Sequence, residues 1–171
     1  MKHTFSLLVE NTFGAFDRVA TLFSAKGFNL HSISIGETEI RDISRMTIVI
    51  SGEAKVVEQA EKQLNRLVDT VKVVDLTKSQ RVERELALIS VNYKRRSLEE
   101  IKNICDVFRG KVVDINNKTI TLEVTGPPAK MEAIVNVLSP FGIIEMARSG
   151  TVALKRGEQQ KAPQKEYLHS N

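Results

Sequence analysis

Glu10-Asn11-Thr12-Phe13-Gly14-Ala15-Phe16, entered from an apolar run and followed through to Gly27-Phe28-Asn29, decides how the first part of this chain folds. Before it, Thr4 to Val9 alternates, with Phe5, Leu7 and Val9 on one face, which predicts a strand. After it, Phe16, Val19, Ala20, Leu22 and Phe23 recur at helical spacing, which predicts a helix over Ala15 to Lys26 stopped by Gly27. The polar turn between them carries two features of chemical interest. Gly14 lacks a side chain where the helix begins, so a small anion can approach the free backbone N–H groups closely. Asn11 offers an amide that both donates and accepts. A carboxylate at the helix end together with an ammonium near an Asn carbonyl describes a free amino acid. The plainer reading is that Asn11 caps the helix and Gly14 turns the chain.

Outward from this stretch the pattern continues. Asn29 to Glu37 reads as a second strand with Ile33 and Ile35 inward, and Ser44 to Ser51 as a third with Met46, Ile48 and Ile50 on one face. Ala54 to Leu67 reads as a second helix and Val71 to Leu76 as a fourth strand. The order is βαββαβ. Thr77 to Glu85 is polar and charged and reads as a linker, after which the order returns. Leu86 to Asn92 is a strand. Ser97 begins a helix with a capping box to Glu100, and Leu98, Ile101, Ile104, Cys105 and Phe108 form its apolar stripe. Val112 to Ile115 and Thr119 to Val124 are strands around an Asn116-Asn117 turn. Gly126-Pro127-Pro128 opens a helix whose core face is Met131, Ile134, Val135 and Leu138. Ile143 to Met146 and Thr151 to Leu154 are short final strands.

The expected fold class is therefore α+β, two ferredoxin-like βαββαβ domains in tandem, offset by about 80 residues. The expected organisation is a first domain over 1–77, a linker over 78–85, a second domain over 86–157 and a polar, aperiodic tail over 158–171, expected to be disordered. Each sheet needs something on the face its helices leave bare, and two units or two copies of the chain can supply it.

Composition narrows the function classes. Of 171 residues, 42% are hydrophobic, and the net charge of +4 is mild and forms no continuous basic stripe, so no nucleic-acid partner is expected. Lys26-Gly27-Phe28 matches the start of an RNA-binding signature, but the aromatics that should follow are missing, and aromatics make up only 5% of the chain. The single Cys105 suits a reducing compartment, and no signal peptide or membrane-length apolar run is read, so a cytoplasmic protein without a membrane partner is expected. His3, His31 and His169 do not stand at metal-ligand spacing, and no P-loop, nucleophile elbow or dinucleotide fingerprint occurs. No catalytic residue and no metal site is predicted.

The residues do support a family resemblance. E-N-x-x-G-A-x-x-R-V-A-x-L-F-S-x-K-G-F-N from Glu10 resembles the ACT domain of the small, regulatory subunits of acetolactate synthase. Ser44-Arg45-Met46-Thr47-Ile48-Val49, Glu58 to Leu64, and Leu67-Val68-Asp69 followed by Val71-Lys72-Val73 continue that resemblance. V-E-R-E-L-A-L-I from Val82, F-R-G-K-V-V-D from Phe108 and A-R-S-G-T-V-A-L-K-R-G from Ala147 look like the domain that follows it in this family. The resemblance implies a non-catalytic partner of a large subunit that carries thiamine diphosphate, FAD and magnesium and acts in branched-chain amino-acid synthesis. The cytoplasm, or a plastid, would be its compartment. It implies stimulation of that subunit and feedback inhibition by valine, held between two paired ACT domains of a homodimer. Carried onto this chain, Asn11, Gly14 and Ala15 would hold the amino-acid backbone, and Asn29 would approach from the other copy. Phe16 and Leu30 would line the side-chain pocket. The competing class is a free-standing amino-acid sensor acting on another protein partner.

Overall fold

The computed structural model describes residues 1–26, 28–94 and 97–157. The expected stop at Gly27, residues 95–96 and the tail expected over 158–171 lie outside the described residues. The chain divides into two compact units, one of residues 1–82 with the segment from Val152, the other Glu83–Thr151.

The first unit is β1 (Lys2–Glu10), α1 (Ala15–Lys26), β2 (Asn29–Glu37), β3 (Ile43–Ser51), α2 (Ala54–Leu64) and β4 (Thr70–Asp75). Its sheet runs β2-β3-β1-β4, with each neighbouring pair antiparallel. This is the predicted ferredoxin-like order. Period-two alternation puts Phe5, Leu7 and Val9 of β1 and Met46, Ile48 and Ile50 of β3 on one face, where Val19 and Phe23 of α1 and Val57, Ala60 and Leu64 of α2 close over them. Phe23 and Phe28 meet edge to face, with centroids 5.5 Å apart.

The opposite face of β1 and β3 is also buried, at Thr4, Ser6, Leu8 and Thr47. Its cover comes from the end of the chain. The strand β9 (Val152–Lys155) belongs to this unit, and the Ala153 N–H donates to Thr47 Oγ1 at 3.2 Å. The Arg156 N–H then donates to the Gln80 carbonyl at 2.8 Å. So the segment read as a short final strand also lies against the first unit. On the same face Arg45 Nη1 donates to Ser6 Oγ at 3.0 Å, and burial lowers the pKa of that guanidinium.

Two local expectations change here. The second helix ends at Leu64, three residues short of the expected Leu67, and Leu67 packs on the core from the turn that follows. Ile35, expected inward, pairs with Met46 on the helix-covered face yet is 50% exposed. Its strand lies at the sheet's edge, beyond the full cover of the helices.

The second unit repeats the plan: β5 (Arg81–Asn92, entering from the first unit), α3 (Leu98–Val107), β6 (Lys111–Ile115), β7 (Thr119–Gly126), α4 (Pro128–Leu138), a single 3-10 turn and β8 (Ile143–Arg148). β5 begins within the stretch read as a linker. Its strand order is β6-β7-β5-β8. Ala87, Ile89, Val91, Ile120, Leu122 and Val124 face Ile101, Cys105, Met131, Ile134 and Leu138. Burial, with Asp106 nearby, pushes the Cys105 thiol up in pKa and keeps it protonated. Asn116 makes the turn its amide suggested: its Oδ1 accepts from the N–H groups of Lys118 and Thr119, both at 2.9 Å. The capping box at Ser97 does not form. Its hydroxyl bonds backward, donating to the Lys94 carbonyl at 3.0 Å and accepting from the Lys94 N–H at 3.1 Å. The hydroxyl thus serves the preceding turn, and no side-chain bond caps the helix. No helix among the described residues is long and apolar enough to cross a membrane.

Candidate functional site

The loop between β1 and α1 lies at one end of the first sheet. Two backbone bonds anchor its entry: Glu10 N–H to the Asp69 carbonyl at 2.9 Å, and Asn11 N–H to the Asp42 carbonyl at 2.7 Å. Gly14 closes it with φ +80°, in the left-handed region that a side chain disfavours. The helix follows at once, with the Ala15 N–H on the Thr12 carbonyl and the Arg18 N–H on the Gly14 carbonyl. The first-turn amides of α1 have no intrahelical acceptors, which leaves a partial positive charge at the loop.

The expected residues are placed as follows. Asn11 is exposed and does not cap α1. Its Nδ2 reaches Glu37 Oε1 at 3.5 Å, across to the end of β2. Gly14 sits at the helix entrance, and Ala15 is buried directly behind it. Phe16 is 48% exposed, although the helical stripe predicted it among the core residues. The structure therefore brings Asn11, Gly14, Ala15 and Phe16 together at one end of the sheet.

Asn29 and Leu30 are elsewhere. Asn29 pairs with Ser51, which also pairs with Lys2, whereas Glu37 pairs with Ser44 opposite Val9. The start of β2 is therefore at the far end of the sheet from the loop, about 25 Å away at the strand rise. Leu30 is 40% exposed there, beside a register shift that passes over His31. Within a single chain the two halves of the expected site do not meet.

Sequence reasoning missed a polar cluster beneath the loop. The Asp69 residue, 8% exposed, sits in the turn before β4. Its carboxylate accepts from Thr12 Oγ1 at 2.8 Å, from Arg18 Nη2 at 2.8 Å and from Arg18 Nε. Arg18 Nη2 also donates to the Phe13 carbonyl at 3.2 Å. The Arg18 hydrogen bond, helped by Thr12 and opposed by burial, holds the Asp69 carboxyl below the usual carboxylate range. The same pairing raises the Arg18 pKa. The guanidinium lies across the bare α-carbon of Gly14: a Cβ built there would stand 3.1 Å from Arg18 Nη1. Beside it an open groove of about 480 Å³ runs along α1, lined by Phe13, Asp17, Arg18, Leu22 and Leu67 among others. Arg18 and Asp69 both stand inside the quoted motifs. What sequence lacked was any sign that they pair across 51 residues.

Known proteins match both units. Residues 5–72 match the model of the ACT domain of acetohydroxyacid synthase small subunits, and residues 84–157 that of the small subunit of acetolactate synthase. The acetolactate synthase small subunit of Aquifex aeolicus is 50% identical over 156 residues, 91% of this chain and 81% of that protein. That of Mycolicibacterium smegmatis is 46% identical over 155 residues, 91% of each chain. The crystal structure of the small subunit from Thermotoga maritima superposes with a TM-score of 0.83 at 40% identity, covering 93% of this chain and 99% of that one. The chain belongs to the family of small, regulatory subunits of acetolactate synthase, in which catalysis lies with a separate large subunit.

Proposed function

We propose that this chain stimulates a catalytic large subunit of acetolactate synthase and makes it sensitive to feedback inhibition by valine, bound between the first units of a homodimer. The large subunit would hold the thiamine diphosphate, FAD and magnesium, and the pair would work in the cytoplasm on branched-chain amino-acid synthesis.

The register of β2 carries this reading. β2 is the edge of its sheet, nine residues long, with Leu30 and Ile35 half-exposed along it. A long apolar edge is a template for another strand. A two-fold copy paired antiparallel along β2 reverses the strand, so its start comes beside the end of this one. That puts the partner subunit's Asn29 and the partner subunit's Leu30 near Glu37, which Asn11 already reaches. The half-sites separated within one chain then become one. A zwitterion suits it: carboxylate toward the α1 amides past Gly14, ammonium toward the Asn11 carbonyl, branched side chain between Phe16 and the partner subunit's Leu30. Valine inhibits only if it binds the less active arrangement more tightly than the active one.

The test is acetolactate formation by the matching large subunit, with and without this chain, across titrations of valine, leucine and isoleucine. Stimulation followed by loss of rate with valine supports the whole reading. Stimulation without any amino-acid effect refutes the valine site. No stimulation of a competent large subunit refutes the partnership and favours a free-standing sensor.

A further inference from the structure

We propose that Arg18, Asp69 and Thr12 form a positioning clamp that holds residues 12–14 in the shape in which the loop receives its amino-acid effector. This rests on the effector site proposed above and assigns residues that do not touch the effector themselves.

Three features point to the clamp. The Asp69 carboxylate is nearly buried and has donors from both ends of the loop, Thr12 on one side and Arg18 on the other. A buried carboxylate is costly without such partners and fixes the groups that satisfy it. The guanidinium fork then serves two acceptors at once, Asp69 Oδ1 at 2.8 Å and the Phe13 carbonyl at 3.2 Å. Orienting the Phe13 carbonyl also fixes the Phe13–Gly14 peptide plane, and with it the direction of the Gly14 N–H at the helix entrance. Finally, Arg18 Nη1 lies against the face of Gly14 where a side chain would stand, so the left-handed turn is braced from behind. Only a planar fork can do all of this, and an ammonium cannot. The two backbone bonds at Glu10 and Asn11 hold the entry of the loop, and the clamp holds its exit.

The test uses the full chain and two readouts, amide hydrogen exchange by residue and valine binding by calorimetry. Asp69→Asn keeps the shape and removes the charge. Thr12→Val removes the hydroxyl, and Thr12→Ser keeps it. Asp69→Asn and Thr12→Val are expected to speed exchange at Ala15 and Arg18, whose N–H groups bond the Thr12 and Gly14 carbonyls, by about tenfold or more. β1 and β3 should stay protected, which shows the fold intact. Valine binding should weaken by about tenfold in the same variants, because the loop must now be ordered by the ligand. Thr12→Ser should restore both readouts. Unchanged exchange in both variants overturns the clamp, whatever valine does. Faster exchange with unchanged valine affinity overturns its role in reception. A wild-type chain that takes up no branched-chain amino acid overturns the effector site and reception with it, while the exchange arm still decides whether these residues set the loop.

Discussion

Replacing Gly14 by Ala tests the loop's geometry with one methyl group. At φ +80° an L side chain costs about 1–2 kcal/mol. Against this, alanine restricts the unfolded chain and returns about 0.4–1 kcal/mol. The new Cβ would also stand 3.1 Å from Arg18 Nη1, so the guanidinium must shift a few tenths of an ångström from its place over Asp69. The net expectation is a destabilisation of about 1 kcal/mol, or about 4–8 °C in the melting of a unit this size. Gly36 is the internal control. It lies in β2 without a positive φ, and a Cβ there would meet nothing within 4 Å. Gly36→Ala keeps only the unfolded-chain term within a single chain and should stabilise by about 0.4–1 kcal/mol when unfolding is followed at dilutions where β2 is not paired with a second copy. The two substitutions are chemically identical and opposite in sign. Urea unfolding of both variants beside the wild type measures the difference. If Gly14→Ala stabilises as much as Gly36→Ala, the left-handed turn at the helix entrance is wrong, and the account of the loop goes with it. Gly14→Asp, which adds bulk and a negative charge at the proposed effector entrance, carries the comparison on to valine sensitivity. An aspartate there would offer Arg18 a second carboxylate in competition with Asp69, so loss of valine sensitivity in that variant reflects bulk and charge only beyond what Gly14→Ala loses.

Asp69→Asn should destabilise the first unit in a pH-dependent way. The folded carboxyl is held below its ordinary value, chiefly by Arg18, so its contribution is complete above the unfolded pKa of about 3.9 and is lost as pH falls through the depressed value. The gap between wild type and variant should be constant from about pH 7 to about pH 5 and narrow below about pH 4, and a gap that persists in acid denies the ion pair. Leu64→Ala and Ile134→Ala, each fully buried, should cost about 2–5 kcal/mol by denaturant unfolding, one in each unit's core. A loss under about 1 kcal/mol at either would mean a loosely packed core there. Asn116→Ala removes one acceptor from two backbone N–H groups and should cost about 1 kcal/mol, with exchange rising at Lys118 and Thr119. No change there would mean that water replaces the amide without loss.

Much of the architecture follows from local signals. The alternation Phe5-Leu7-Val9, the helical stripe through Val19 and Phe23, and the repeat of both after Leu86 give the order of elements in each unit, because periodicity depends only on neighbours in sequence. Asn116 and Pro128 do in the structure what their side chains suggest in isolation. Ser97 does not, because its hydroxyl finds a nearer partner in the turn before the helix.

What the tertiary structure decided are the pairings that no period encodes. Asp69 meets Arg18 and Thr12 only because the turn after α2 and the loop after β1 reach the same end of the sheet. Arg148 meets the buried Glu85 only because β8 lies beside β5. Ala153 reaches Thr47 across 106 residues and covers a face whose partner sequence could not name. Strand order leaves Ile35 exposed and sends Asn29 to the opposite end of the sheet from Asn11. The physical reason is the same each time. An alternating pattern states which side of a strand is apolar, whereas the element that lies against it is set by strand order and register, which emerge only when the whole chain is packed.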